Sequence, residues 1–383
     1  MNIDYAVSFS VEGDSGKNKA TREKARNLKL LSNNFSFYTL DNIMSFGIKN
    51  KLFKMMRIFL FEIYYFFYTL INIKNRKPDI IYSRNFFGFG PWLISNIFNI
   101  TWIKEQHGDN FEEMKLLHGT SKIKLFLYKL LEKYGLFFLK KTDGIIFNNP
   151  LLEESFIKKF NINNYTKTIS IYNGSNTNDF FPIATEKAKK KLHLNNSYDY
   201  FLFIGSISKW HGVDLLLKTM NCFFENYKST SKKVKLLIVG GKNNDYYHSL
   251  KNKYQSDDII FTGRVPVKKA KYYINASKIC FLPVKNNRTS PGSPLKLYDY
   301  ISCGKPVISQ SNTKGYSNIV ENYNLGVSCD FYNSQKSANI INDFYKSFNE
   351  KKYLINNRKA AEEELNWSNV IENWISFANE ISD

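Results

Sequence analysis

The feature that most constrains this chain is an alternation that runs along most of its length. Short apolar runs rich in Ile, Val, Phe and Tyr are separated by amphipathic stretches. In the first half the runs are 5–9, 35–40, 79–82, 101–105, 144–148 and 168–172. In the second they are 200–204, 234–239, 259–262, 279–283, 306–309 and 326–329. Helical patterns fill 21–31, 52–73, 123–139, 212–227, 245–254, 268–276 and 296–302. Strands alternating with helices build parallel sheets, so the reading is α/β with two successive βα arrays. A chain of 383 residues suits two such domains.

A polar, turn-rich tract over 173–197 marks the boundary between the arrays, with Lys187 to Lys191 as a solvated linker or helix face. The expected organisation is a domain over 1–180, a second over 181–365, and a closing helix over 366–383. Trp367, Val370, Ile371, Trp374 and Phe377 recur at intervals of three or four, which puts them on one face of that helix.

Charge bounds the partners. Fifty-four Lys and Arg against 34 Asp and Glu leave +20, so anionic ligands are to be considered. The excess is spread along the chain, with its densest cluster at Lys49, Lys51, Lys54, Arg57, Lys74, Arg76 and Lys77. Part of it accompanies the Asn, Ile, Phe and Tyr that AT-rich codons favour. No helix-turn-helix, zinc-finger or RRM pattern occurs, which weighs against nucleic acid. Four scattered cysteines without a C-x-x-C pair fit a reduced chain, and the start lacks the pattern of a signal peptide, so a cytoplasmic location is expected. The apolar run 58–73 contains Glu62 and Asn72 and falls short of the roughly 20 residues that cross a bilayer. It and the basic amphipathic stretch 122–141 fit either core helices, with lysine stems covering apolar surface, or contact with a membrane surface.

The stretch 290–309, SPGSPLKLYDYISCGKPVIS, carries the most chemistry. A loop of Gly292, Ser293 and Pro294 runs into a helix starting near Leu295, whose free N–H groups and partial positive charge suit a phosphate. Asp299 follows one turn later, where a carboxylate can accept hydrogen bonds from ribose hydroxyls. Gly13, Gly16 and Lys17 lack P-loop spacing, which weakens an NTPase reading.

The segment SPLKLYDYISCGKPVI resembles the nucleotide-sugar-binding segment of family 4 glycosyltransferases, which in many members reads SPLKLYEYMACGKPVI. FLFIGSISKWHGVDLLLKTM (201–220), IYNGSNTNDFFP (171–182), VKLLIVGG (234–241), IIFTGRV (259–265), KPDIIYSR (77–84) and WIKEQHG (102–108) resemble further family segments in the same order. The resemblance implies the GT-B fold: two Rossmann-like βαβ domains facing a central cleft, with the C-terminal helix crossing back to the first. It implies transfer of a sugar from a UDP- or GDP-sugar to a glycan or lipid-linked acceptor, with retention, without a metal, and with closure around the donor. Bacterial O-antigen or capsule assembly beside an anionic inner membrane is the expected setting. The competing readings are a non-catalytic anion or nucleic-acid binder and a GT-B sugar-nucleotide epimerase.

By position, Asp299 stands where the family has its ribose-binding Glu, and Ser293, Pro294 and Leu295 where backbone holds the diphosphate. Gly263, Arg264 and Val265 lie where the base is met. His107 matches a histidine that approaches the donor sugar or its phosphate, and Gly16 a glycine that lets backbone come close to it. The family's Arg and Lys that cradle the leaving phosphate align with Ser206 and His211, and the first glutamate of its pair aligns with Pro291. Lys209, His211, Lys296 and Arg288 are the candidate replacements for the missing cations. Glu105 is read as a structural partner or acceptor-side residue.

Overall fold

The structure, a computed structural model, describes residues 1–13, 15–42, 51–84, 88–108, 121–162, 166–226, 233–241, 244–286 and 291–382. Lys49, His118 and Arg288 lie outside them. The chain forms two compact units, 1–172 with 367–383, and 173–366.

The first unit holds a six-stranded sheet: β1 (Asn2–Val7), β2 (Asn34–Thr39), β3 (Ile80–Arg84), β4 (Thr101–Gln106), β5 (Gly144–Phe147) and β6 (Lys167–Ser170). The order is β2-β1-β3-β4-β5-β6, and every pairing is parallel. Its central strands are buried on both faces, as continuous apolar runs require. The helices Lys51–Asn72, Phe89–Phe98 and Lys122–Leu139 cover one face through Phe61, Tyr65, Ile94 and Phe138, packed with Trp102 of the sheet. Glu62, buried in this layer, accepts from the N–H groups of Gly88 (3.1 Å) and Phe89 (2.5 Å) and so caps the helix Phe89–Phe98.

The helices Gly16–Leu31 and Trp367–Ser382 also belong to this unit and pack on each other. Trp367, Val370, Ile371, Trp374 and Phe377 are buried, the face read from the spacing. The Trp374 ring meets Tyr82 of β3 at 5.0 Å between centroids. The C-terminal helix thus returns to the first array.

The second unit repeats the plan with β7 (Tyr198–Gly205), β8 (Lys233–Gly240), β9 (Ile259–Gly263), β10 (Ile279–Leu282), β11 (Val307–Gln310) and β12 (Gly326–Cys329). Its order is β12-β11-β10-β7-β8-β9, again parallel throughout. The chain adds strands on one side of β7 and then returns to its other side at β10. Ligands of open α/β sheets bind outside the carboxyl ends of the strands at such a switch point. The tract around 185–191 is a short helix, Thr185–Lys191, and Lys189 is buried with its Nζ donating to the Tyr198 carbonyl (2.7 Å).

Candidate functional site

Each unit gathers polar side chains at the carboxyl edge of its sheet. In the second unit they surround the ends of β7 and β10. β7 finishes at Gly205, whose φ of +137° is a conformation that L side chains rarely adopt. Ser206 beyond it is exposed. A turn of 3-10 helix, Lys209–His211, follows, in which the Ser208 N–H donates to His211 Nδ1 (3.2 Å). That bond leaves the proton of a neutral His211 ring on Nε2. Lys209 is exposed.

The loop before the helix Leu295–Ser302 is held from a distant part of the chain. The Asn173 backbone N–H donates to Ser293 Oγ (2.9 Å), and its side-chain amide donates to the Ser293 carbonyl (2.7 Å). Tyr316 OH donates to the Pro291 carbonyl (3.3 Å), and Gly292 turns the chain at φ +81°. The helix then begins after Pro294 with no side-chain cap, so its first amides have no acceptor of that kind. Tyr300 braces it on the sheet: its OH accepts from the Ile204 N–H (3.1 Å) and donates to the Phe281 carbonyl (3.4 Å).

Lys296, in the first turn, turns back toward the end of β7. Its Nζ sits 4.1 Å from the centroid of the Phe203 ring and lies against Gly205, where a Cβ would come within 3.2 Å of it. No carboxylate lies within ion-pair distance of it among the described residues, and burial alone pulls its pKa down to about 7. A partly buried, unpaired amine beside an uncapped helix start has the chemistry to hold an anion. Asp299 is half-buried one turn further along the same helix. At the end of β9, Gly263 has φ +69° and is followed by the exposed Arg264 and half-buried Val265.

In the first unit the centre is Glu105, buried near the end of β4. Lys24 from the helix Gly16–Leu31 and the His107 ring both contact its Oε1. Arg84, at the end of β3, places Nε 3.8 Å from Oε2 and donates from Nη1 to Thr21 Oγ1 (2.6 Å). Burial works to raise the Glu105 pKa, but His107, Lys24 and Arg84 outweigh it and hold the carboxyl well below the usual range. Burial pushes His107 the other way, with Arg84 adding to it, down to about 3. A neutral ring facing a carboxylate carries its proton on Nε2, and Nδ1 then accepts from the Asn148 amide (3.2 Å). Gly16 is the first residue of its helix, behind the Ser15 cap, and the positive φ in that loop belongs to Gly13.

The sequence-derived candidates therefore fall into two sets. Ser206, Lys209, His211, Gly263, Arg264, Val265, Ser293, Pro294, Leu295, Lys296 and Asp299 belong to the second unit, His107 and Gly16 to the first. Lys24, Arg84 and Asn148 are partners that the sequence did not single out. Asn173 lies within the segment 171–182, and its bonds to Ser293, 120 positions away, leave no local signal in the sequence.

Residues 184–361, just under half of the chain, match the model of the family described as glycosyl transferases group 1. The comparisons support a GT-B glycosyltransferase. A curated relative, an uncharacterized glycosyltransferase of Methanocaldococcus jannaschii, is 24% identical over 320 residues, covering 81% of this chain and 77% of its own. Among solved structures, sucrose-phosphate synthase from Thermosynechococcus elongatus superposes with a TM-score of 0.73 at 16% identity, covering 100% of this chain and 99% of that one. The Anabaena protein Alr3699/HepE, solved in complex with UDP-glucose, gives 0.66 at 15% identity, covering 99% and 100%. Two six-stranded parallel sheets with flanking helices are the shared architecture, as the alternation in the sequence implied. Neither a nucleic-acid binder nor an epimerase is favoured by these likenesses.

Proposed function

We propose that this chain transfers a sugar from a UDP- or GDP-sugar to a glycan or lipid-linked acceptor, with retention of configuration and without a metal, in assembly of a bacterial surface polysaccharide such as O-antigen or capsule. The observation that carries the donor half is Lys296: an unpaired amine beside the start of the helix Leu295–Ser302, at the switch point of the second sheet. The amides after Ser293 and the Lys296 ammonium would neutralise the departing diphosphate, the task a metal performs elsewhere. Asp299 would accept from the ribose hydroxyls, and the backbone at Gly263, Arg264 and Val265 would meet the base. Both ring nitrogens of the neutral His107 are engaged, Nε2 with Glu105 and Nδ1 with Asn148, so a role toward the donor would require one of those bonds to be exchanged; the departing phosphate itself would take the acceptor's proton. The UDP-glucose held by the Anabaena protein supports a nucleotide-sugar donor.

Calorimetric titration with UDP, GDP, ADP and a short single-stranded DNA tests this reading, with Asp299→Ala as control. Micromolar binding of one nucleotide, lost in the control, is the expected result. Binding of DNA alone would refute it. Turnover, once a donor is found, is expected to survive EDTA, and its abolition by the chelator would refute the metal-free scheme.

A further inference from the structure

The three helices on one face of the first sheet leave a broad apolar surface. Lys51–Asn72 buries Phe61, Glu62, Tyr65 and Thr69 on one side of its circumference. Its other side presents Leu60, Ile63, Phe67 and Ile71, the last 76% exposed. In Lys122–Leu139 the exposed apolar residues are Ile123, Phe126, Leu130 and Phe137. At 3.6 residues per turn they fall within an arc of about 60°. The two helices adjoin, since the Phe59 and Tyr134 rings meet at 5.3 Å and Tyr134 OH donates to Glu62 (2.7 Å). Ile97 of Phe89–Phe98 adds a further exposed side chain. More than half of the exposed large apolar side chains among the described residues lie on these three helices. Single exposed apolar residues are ordinary, but a concentration on adjoining helices marks a contact surface.

Charge says what the surface meets. Lys122, Lys129, Lys133 and Lys140 are exposed and follow the same helical spacing along one flank of the Ile123–Phe137 row. The three helices carry two acids in all: Glu62 is buried, and Glu132 is largely covered and 3.9 Å from Lys159. The exposed face is therefore apolar with a cationic border and no exposed carboxylate of its own. A second copy of this chain would bring the lysine row against a like-charged surface. No helix among the described residues is long and apolar enough to cross a membrane. Apolar residues flanked by lysines instead suit a helix lying in the plane of a lipid interface.

We propose that this face docks the first unit on an anionic lipid bilayer. The inference deepens the transferase reading by bringing the chain to a lipid-linked acceptor and rests on that reading for its purpose alone. The full chain is sedimented with vesicles of phosphatidylcholine and of phosphatidylcholine mixed with phosphatidylglycerol. Wild type is expected to pellet with the mixed vesicles. The double variant Ile71→Glu, Ile123→Glu, whose sites are solvent-facing, loses at least roughly tenfold in partitioning. Lys129→Glu and Lys133→Glu each lose on the order of fivefold on the mixed vesicles and little on the neutral ones. Light scattering on the same samples reads the oligomeric state. Failure of wild type to pellet with mixed vesicles overturns the proposal, as does a double variant that pellets equally well. So does a wild-type dimer that the double variant dissociates while neither binds vesicles. UDP titration of the same preparations separates the two readings, because vesicle binding without nucleotide binding refutes the donor site and leaves the docking face standing.

Discussion

If Lys296 holds the diphosphate, binding must take up a proton. Its amine has a pKa of about 7 in the free protein, because burial beside Phe203 penalises the charged form and no carboxylate compensates. An anion bound against it restores the ordinary preference for ammonium. At pH 8 roughly nine-tenths of the free amines are neutral, so binding of UDP should take up close to one proton, falling to about half a proton at pH 7. The sign follows: affinity is fully developed below pH 7 and weakens roughly tenfold per unit as pH rises above it, until the pKa of the bound state is passed. Calorimetry in two buffers of different ionisation enthalpy measures the uptake directly. Lys296→Met should abolish the uptake and weaken UDP binding on the order of 10- to 100-fold, the value of a charge-assisted hydrogen bond. Wild-type uptake near zero at pH 8, or equal affinities in the two proteins, would refute the reasoning.

Three further outcomes follow from the geometry. Gly205→Ala places a Cβ 3.2 Å from Lys296 Cε and Nζ at a φ of +137°, so UDP affinity should fall several-fold with the rest of the fold retained; unchanged affinity in titration would count against Lys296 as the anion's partner. Glu105→Gln leaves Lys24 and Arg84 buried without their shared anion, so urea unfolding should show a loss of about 3–5 kcal/mol, and a loss under about 1 kcal/mol would mean the cluster relaxes into solvent. Because His107 is neutral down to about pH 3, its ring should give no titration in NMR between pH 5 and 8, and a shift in that window would overturn the assigned protonation state.

The alternation of apolar runs and helical stretches was enough to place both βα arrays, because a strand buried on two faces must be apolar throughout and that signal is local. The helix beginning at Leu295 and the buried face of Trp367–Ser382 were legible for the same reason. Less legible were Phe89–Phe98, apolar nearly throughout, and the short lysine-rich Thr185–Lys191. The first lacks a polar face to give a period, and the second is short and sits in a tract whose turn residues dominate.

What the sequence could not decide depends on residues far apart in the chain. Asn173 fastens Ser293 across 120 positions, and Lys24 reaches Glu105 across 81. No spacing rule records such pairs. The same holds for ionisation: Lys296 reads as an ordinary lysine until the fold lays it on Phe203, and His107 as an ordinary histidine until burial and Arg84 surround it. The apolar helix Lys51–Asn72 fitted burial and exposure alike; the fold buried one side of it and left the other open. Sequence by itself determined which segments form strands and helices and where a phosphate-suited loop meets a helix, since both follow from local periodicity and backbone chemistry. Only the tertiary structure decided which charges are paired, which are desolvated and which apolar face remains exposed, since solvation is set by neighbours that only folding supplies.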